Sequence, residues 1–224
     1  MYSLWKELNK ITSDTLKSKS LTYGDRFIWR PISHLILCPY ISMGFRNPNI
    51  ITIISIIFLF IGFFSSQFWL IYFMIWAVLD CADGSLARYN KKHNLFYQDG
   101  ELIDAIGGYS FITIFWSKLY IESNNAFCIF TLIANLLARV IYLKYNNCLK
   151  YDHKSSSFNR TNKLYFIYEN IEFGSFMLII FMIFNCINFI NIFILMYFTL
   201  SLLLLFYSLF KSFKNSFKPI SNNE

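Results

Sequence analysis

Two carboxylates and a guanidinium interrupt an apolar stretch of this sequence. The run FWLIYFMIWAVL (68–79) leads directly into DCADGSLAR (80–88), in which Asp80 and Asp83 lie three residues apart and Arg88 follows. On a helix, residues i and i+3 project from the same face, so the two carboxylates would be neighbours. Carboxylate oxygens are ligands of hard cations such as Mg²⁺, and a guanidinium matches the geometry of phosphate oxygens. The stretch therefore predicts a site for a divalent metal ion and a phosphate group.

Small residues and further acids lie close to this pair in the sequence. Gly84 and Ala87 are three residues apart and remove side-chain bulk from that neighbourhood. Asp104 lies beyond a short polar loop, in the first turn of the next apolar segment, with Asp99 and Glu101 nearby. If the two apolar segments are antiparallel neighbours, the three aspartates could converge on one cation, which would remove the repulsion between them.

The same residues also allow a structural interpretation. Arg88 could form an ion pair with Asp83, and Asp104 could be a helix-start acid that favours the positive end of the helix dipole. An uncompensated acid within a membrane costs roughly 2.5–3.5 kcal/mol. Either a cation or an arginine must therefore compensate these acids, and their charges alone leave both interpretations open.

The composition around these residues is that of a membrane protein. Hydrophobic residues occupy 56% of the 224 positions and charged residues only 15%, whereas a soluble domain is charged at about 25% of its positions. Several apolar runs approach the length that spans a bilayer. The sequence predicts an all-α integral membrane protein with six transmembrane helices, at 50–64, 68–90, 101–121, 126–145, 166–186 and 192–210.

Segments of a different character flank the apolar runs. Residues 2–19 carry apolar side chains at helical spacing between lysines, which predicts an amphipathic helix in the membrane interface. Pro31 and Pro39 limit any long helix between 26 and 46, so that segment is expected to be only partly helical. The predicted organisation is a cytoplasmic or interfacial segment (1–46), a six-helix membrane domain (47–212) and a cytoplasmic tail (213–224).

Positive charge is distributed between the apolar runs and is not gathered on one polar face. Most lysines and arginines lie in the N-terminal region, the 91–99 loop, the 146–163 loop and the tail. The connectors on the opposite side, 65–67, 122–125 and 187–191, hold none. Cytoplasmic loops carry such an excess, so both termini and the acid pair are predicted at the cytoplasmic face. The net charge of +7 is then a feature of membrane topology, and no nucleic-acid partner is expected.

The order of these residues resembles the signature of the CDP-alcohol phosphotransferase family, also called CDP-alcohol phosphatidyltransferases. DCADGSLAR followed by GELID (100–104) matches the pattern Asp, two residues, Asp-Gly, two residues, Ala-Arg, a loop, Gly, three residues, Asp. PNIIT (48–52) resembles the Pro-Asn-x-x-Thr stretch that opens the first span in this family. Six spans with cytoplasmic termini are similar to the family's membrane domain as well.

The resemblance implies a metal-dependent transfer reaction in a lipid bilayer. Enzymes of this family attack the β-phosphorus of a CDP-linked donor, either CDP-diacylglycerol or a CDP-polyol, with an alcohol acceptor and release CMP. They serve the synthesis of phospholipids or related polar lipids and glycans, usually as homodimers. By resemblance, Asp80, Asp83 and Asp104 would hold Mg²⁺ or Mn²⁺. The positions matched to donor binding are Pro48, Asn49, Thr52, Gly84, Ala87, Arg88 and Gly100.

Two features depart from the family pattern. The loop between Arg88 and Gly100 holds 11 residues, which is longer than usual. The fourth acid of the signature should fall four residues after Asp104, and this chain has Gly108 there. In the family that acid is the proposed general base for the acceptor hydroxyl, so the base is unassigned here. Its candidates are His93, Asp99, Glu101 and an acid of the fifth span.

Other polar residues within the spans are candidates for acceptor binding. Arg139 lies in the fourth predicted span, and Glu169 and Glu172 open the fifth. Charged residues at such positions are functional candidates. Arg139 could instead extend to the membrane surface, and the two glutamates could be helix-start acids.

Three functional hypotheses follow from these observations. The first is a CDP-alcohol phosphotransferase. The second, motivated by Gly108, is a catalytically degenerate relative that binds a CDP-linked lipid or a metal as a scaffold or regulator. The third is a small transporter, which would explain intramembrane acids but not their order with glycine, alanine and arginine.

Overall fold

The computed structural model describes residues 2–16, 28–95, 101–151, 175–186 and 189–216. Every regular element in these ranges is helical, in agreement with the predicted all-α class. The eight helices within them are α1 (Tyr2–Leu16), α2 (Arg30–Ser42), α3 (Pro48–Phe64), α4 (Trp69–Lys92), α5 (Glu101–Ser123), α6 (Phe127–Tyr151), α7 (Ser175–Cys186) and α8 (Ile190–Ser216).

The start of α3 has a clear local cause. Asn47 is the N-cap, and its side chain accepts a hydrogen bond from the backbone N–H of Asn49 at 3.0 Å. Pro48 occupies the first helical position, where its missing N–H leaves no helical hydrogen bond unmade. The helix therefore begins two residues before the predicted position 50 and ends at Phe64, as predicted.

Two described helices are long and apolar enough to cross a membrane, namely Trp69–Lys92 and the Ile190–Phe210 part of α8. The helix α3 and the Phe127–Ala138 part of α6 are apolar but shorter. With about 1.5 Å of rise per residue, the 17 residues of α3 extend roughly 26 Å, near the lower limit for a span.

Some predicted boundaries differ from the observed ones. The predicted polar loop 146–163 begins as helix, because α6 continues to Tyr151. Polar residues there replace apolar ones without any glycine or proline that would end the helix. For the same reason α8 runs past 210, the predicted end of the sixth span, to Ser216. The predicted fifth span agrees with α7 over Ser175–Cys186, and its first part lies outside the described residues.

The helices α3 and α4 form a closely packed hairpin, and α5 packs against both of them. Gly62 permits the close approach in this hairpin, since a Cβ atom there would lie 2.8 Å from Phe73 Cε1. The helix α2 packs on α4, and α6 pairs with both α5 and α8. This arrangement brings the beginning of α3, the second half of α4 and the beginning of α5 to one end of the bundle.

Aromatic rings form much of the core between the helices. Trp76 and Phe111 stack with centroids 3.9 Å apart. Trp69, Phe115 and Phe181 form a three-way contact that joins α4, α5 and α7. Large apolar side chains on the outer faces remain exposed, as a lipid-facing surface requires, including Ile53, Ile57, Phe60, Ile133, Leu137 and Leu203.

The N-terminal helix directs its apolar side chains at the protein. Leu8 and Ile11 are buried in a cluster with Leu37 of α2 and Leu86 of α4. The helix α2 itself runs through Pro39, so the proline predicted to limit it lies inside a 13-residue helix. The placement of α1 in the membrane interface stays a prediction, but its apolar stripe has a protein partner.

Candidate functional site

A short hydrogen bond joins the two sequence stretches that carry the signature. Thr52 Oγ1 of α3 donates to Asp83 Oδ2 of α4 at 2.6 Å. Both residues are buried, with 3% of Thr52 and 5% of Asp83 exposed. A distance of about 2.5–2.7 Å is typical of a hydroxyl that donates to an ionised carboxylate. The contact fixes one oxygen of Asp83 at the end of the bundle where α3, α4 and α5 meet.

The remaining signature residues of α4 lie around this carboxylate. Asp80 is half-buried one turn before Asp83. A Cβ atom at Gly84 would lie only 3.4 Å from Arg88 Nη1, so the guanidinium folds back against the glycine. A Cβ atom at Gly84 would be in ordinary van der Waals contact with the guanidinium, and Ala87, also half-buried, adds little bulk beside it. The guanidinium is held near the carboxylates, where it can contact an anionic ligand.

The first turns of α5 come close to the same point. A Cβ atom at Gly107 would lie 3.8 Å from Thr52 Cγ2, so this part of α5 packs directly on the threonine that holds Asp83. Asp104 lies one turn earlier in α5, whose backbone begins at Glu101. The side chains of both acids are outside the described part of the structure, as are Asp99 and Gly100.

Two of the three predicted metal ligands, Asp80 and Asp83, lie among the described side chains. Among the residues that the structure describes, no group of three histidine, cysteine or acidic side chains could hold a metal ion. Asp104 is not in that set, so the three-aspartate site stays a prediction. Asp80 and Asp83 supply hard oxygen donors on one helix face, which is chemistry that suits Mg²⁺ or Mn²⁺.

Gly108 occupies an open position. A Cβ atom built there would meet no atom within 4 Å apart from its own helix backbone. The missing fourth acid is therefore not replaced by a bulky side chain packed into its place.

His93 lies away from the buried carboxylate. Its Nε2 contacts Glu7 Oε1 of α1 at 2.9 Å, and Lys92 Nζ donates to the same oxygen at 3.3 Å. Ten residues of helix separate His93 from Asp83, which corresponds to about 15 Å along the axis. Burial raises the pKa of Glu7, but the hydrogen bonds and charges of His93 and Lys92 together lower it by more, so the net shift is downward. The structure thus brings this candidate base to α1.

A second polar network, which the sequence did not indicate, joins α1 and α2 to the signature helix. His34 Nδ1 contacts Asn9 Oδ1 at 2.8 Å, and its Nε2 contacts Ser85 Oγ at 3.3 Å. Ser85 Oγ donates a hydrogen bond to the carbonyl oxygen of Cys81 at 2.9 Å and accepts one from Arg88 Nη2 at 3.3 Å. The network thus ends on the guanidinium of the signature.

The chemistry of this network requires a neutral histidine. Burial, followed by the charges of Arg30 and Arg88, lowers the pKa of His34 to about 4. Asn9 Oδ1 can only accept a hydrogen bond, so Nδ1 of the neutral ring carries the proton and donates it to this oxygen. The unprotonated Nε2 lies 3.3 Å from Ser85 Oγ. The link between His34 and Asn9 was not visible in the sequence, because it arises only where α1 packs against α2.

The residues that open α3 lie beside Thr52, whereas the three acceptor-binding candidates have no described side chain. Pro48 and Asn49 are buried in the first turn of α3. Arg139 belongs to α6, but its side chain is not described, and Glu169 and Glu172 lie outside the described residues. Their roles stay predictions.

Comparison with known protein families settles the family. The family model described as CDP-alcohol phosphatidyltransferase matches residues 45–207, which is more than half of the chain. The chain belongs to the CDP-alcohol phosphatidyltransferase family. No curated protein and no solved structure gave a significant match.

Family membership gives the site its chemical setting. The matched region begins just before Pro48 and includes both partners of the Thr52–Asp83 hydrogen bond. CDP-alcohol phosphatidyltransferases are membrane-embedded transferases of substituted phosphate groups, act on CDP-alcohol donors and alcohol acceptors, and generally depend on divalent metal ions.

Proposed function

We propose that this protein transfers a substituted phosphate group from CDP-diacylglycerol or a CDP-polyol to an alcohol, with Mg²⁺ or Mn²⁺, and releases CMP. The observation that carries the proposal is the Thr52–Asp83 hydrogen bond, because it unites two signature stretches 31 residues apart in one buried contact. A structural ion pair alone would not need the threonine hydroxyl at that position. Such a reaction would serve the synthesis of phospholipids or related polar lipids and glycans.

Each signature residue receives a specific role in this proposal. Asp80 and Asp83, with Asp104 from the next helix, would hold the metal ion. When bound, the ion would neutralise negative charge that develops on the departing CMP. Thr52 holds Asp83 in one orientation, and the Arg88 guanidinium, which lies against Gly84, would bind the diphosphate of the donor. Pro48, Asn49, Ala87 and Gly100 would complete the donor site.

The reaction breaks one phosphorus–oxygen bond and forms another. The acceptor oxygen attacks the β-phosphorus of the donor, and CMP leaves with the bridging oxygen. The acceptor proton must pass to a base, which Gly108 cannot provide. Asp99 and Glu101 are the candidates nearest in sequence to Asp104, whereas His93 is bound to Glu7.

We further propose that the protein has six spans with both termini in the cytoplasm. The distribution of lysine and arginine supports this topology. The α3–α4 hairpin supports a single active site at the cytoplasmic end, since it brings 48–52 and 80–88 together. A homodimer embedded in the bilayer is the proposed assembly, with Arg139, Glu169 and Glu172 as acceptor-binding candidates.

Gly108 favours one alternative function. With no acid at that position, the protein could bind a CDP-linked lipid or a metal ion without turnover, as a scaffold or regulator. Loss of a general base typically lowers a rate by ~10²–10⁴-fold without removing ligand binding. Binding of CDP that depends on Mg²⁺, without release of CMP from any donor, would distinguish this alternative from the enzyme.

The proposed activity is tested by a matrix of donors and acceptors. Purified full-length protein is incubated with Mg²⁺, CDP-diacylglycerol or CDP-polyols, and a panel of alcohols, and CMP is measured. We expect CMP release with at least one pair, none above background for Asp80→Asn, and full release for the control Glu7→Gln, which removes an acid of α1. Folded wild-type protein that releases no CMP with any pair would contradict the enzymatic proposal.

A further inference from the structure

Arg30 is a buried arginine with two guanidinium nitrogens that have no hydrogen-bond partner among the described residues. The residue begins α2 and keeps only 9% of its surface exposed. Its Nε and Nη1 atoms are buried and make no hydrogen bond, and no described acid forms an ion pair with it. Buried arginines are normally paired, because the removal of a charge from water is strongly unfavourable without compensation. The buried charge of Arg30 therefore fits a site in which a bound anionic ligand is the counter-ion.

The surroundings of Arg30 identify the charge of that ligand. His34 lies one turn later on the same face of α2, and through Ser85 it is connected to the Arg88 guanidinium. The charges that act on the His34 ring are those of Arg30 and Arg88. Arg30 thus adds to the α2–α4 contact a buried positive charge that no described acid pairs, whereas Arg88 lies near the carboxylates of Asp80 and Asp83.

We propose that Arg30 and Arg88 form a phosphate-binding site between α2 and α4. Guanidinium groups bind phosphate oxygens through pairs of parallel hydrogen bonds, and two of them match the charge of a phosphate dianion or a diphosphate. The neutral His34 and Ser85 position Arg88 without adding charge. The site shares Arg88 with the proposed donor site and to that extent rests on the proposed function, but ligand binding there requires no turnover.

The phosphate group could come from a lipid headgroup, from a nucleotide or from free phosphate, and separate probes distinguish these sources. Full-length protein in a maltoside detergent, in buffer without phosphate, is titrated with inorganic phosphate, with CDP plus Mg²⁺, or with phosphatidylglycerol. Diacylglycerol serves as the lipid control without a phosphate. The measured quantity is the midpoint of thermal unfolding, which a ligand of the native state raises.

The variants separate a binding role from a structural one. For Arg30→Gln we expect that about 10-fold to 100-fold more of the effective probe is needed to raise the unfolding midpoint by the same amount. This factor corresponds to the loss of charge-assisted hydrogen bonds from one guanidinium group. Arg30→Lys should be intermediate, since it keeps the charge but not the planar fork. Lys91→Gln, an exposed site with the same charge change, should titrate like the wild type.

A second measurement, without any ligand, tests the missing partner directly. Arg30→Met replaces a buried charge by an apolar side chain of similar length, so its unfolding midpoint should exceed that of the wild type by about 2–4 °C. A lower midpoint for Arg30→Met would show that the arginine is structurally paired and would overturn the proposal.

The titrations give equally clear outcomes. Stabilisation by CDP with Mg²⁺ alone would assign the site to the donor, and stabilisation by phosphatidylglycerol or phosphate would assign it to a lipid or a free anion. A wild type that responds to none of the three probes, or an Arg30→Gln variant that titrates like the wild type with all of them, would refute the site. Neither result depends on CMP release, so the site and the transferase activity are tested separately.

Discussion

The substitution Thr52→Val removes one hydroxyl from the centre of the site and leaves the side-chain shape nearly unchanged. In the wild type this hydroxyl donates to Asp83 Oδ2 at 2.6 Å, and both residues are buried. A second contact of the hydroxyl, to the carbonyl oxygen of Pro48 at 3.3 Å, is longer and involves a helical carbonyl. The main loss in Thr52→Val is therefore the hydrogen bond to the carboxylate.

The expected size of the effect follows from the geometry. A hydrogen bond to a charged group contributes about 1.5–3 kcal/mol, which corresponds to roughly 10-fold to 100-fold in an equilibrium constant. Partners that orient metal ligands typically contribute about the same factor to metal affinity. We therefore expect Thr52→Val to need about 10-fold to 100-fold more Mg²⁺ for half-maximal CMP release.

The assay compares the Mg²⁺ dependence of CMP release with that of a matched control. Thr131→Val makes the same chemical change at another buried threonine, whose hydroxyl donates to the helical carbonyl of Phe127 at 2.7 Å and to no other described residue. This control should keep the wild-type Mg²⁺ dependence. Superimposable Mg²⁺ curves for Thr52→Val and Thr131→Val would refute the role assigned to the Thr52–Asp83 contact.

Three further predictions concern a histidine and two glycines. The pKa of His34 is about 4 in the folded protein and near 6.5 in the unfolded chain. Its neutral ring therefore contributes fully to the free energy of unfolding above pH 6.5. This contribution is lost as the pH falls towards 4, because the unfolded chain takes up the proton first. Measured by chemical denaturation, the free energy of unfolding should fall between pH 7 and pH 5 by about 2 kcal/mol more in the wild type than in His34→Gln. Gly62→Ala should destabilise the protein by about 1–3 kcal/mol through overlap with Phe73. Gly108→Ala, in open space inside α5, should instead stabilise it by up to about 1 kcal/mol. Gly108→Asp should fold normally and raise CMP release about 10²-fold or more if a missing base limits the rate; an unchanged rate would show that another group already accepts the proton.

Local sequence signals were sufficient for the elements that carry the signature. Asn47 and Pro48 mark the start of α3 by capping chemistry, and the spacing of Asp80 and Asp83 places them on one helix face. The ends of α6 and α8 were predicted too early, because polar residues there suggested a loop although nothing in the sequence stops the helix.

The contacts between distant segments could not be read from the sequence. The hydrogen bond from Thr52 to Asp83 depends on how α3 packs against α4, although the family resemblance placed both residues in one site. His34 and Arg30 lie in a segment interpreted as a connector, and their importance arises only because α2 packs beside Ser85. A spacing of four residues, which aligns Arg30 with His34 on one face, was the only local signal available.

The most direct test of the central claim is metal rescue at the first signature aspartate. Asp80→Cys replaces a hard oxygen ligand by a thiolate, which disfavours Mg²⁺ and favours softer ions such as Cd²⁺. The account predicts that the wild type releases CMP with Mg²⁺, that Asp80→Cys loses this activity, and that Cd²⁺ restores part of it in the variant alone. Asp80→Cys protein that releases CMP with Mg²⁺ as fast as the wild type would contradict a metal site at this aspartate.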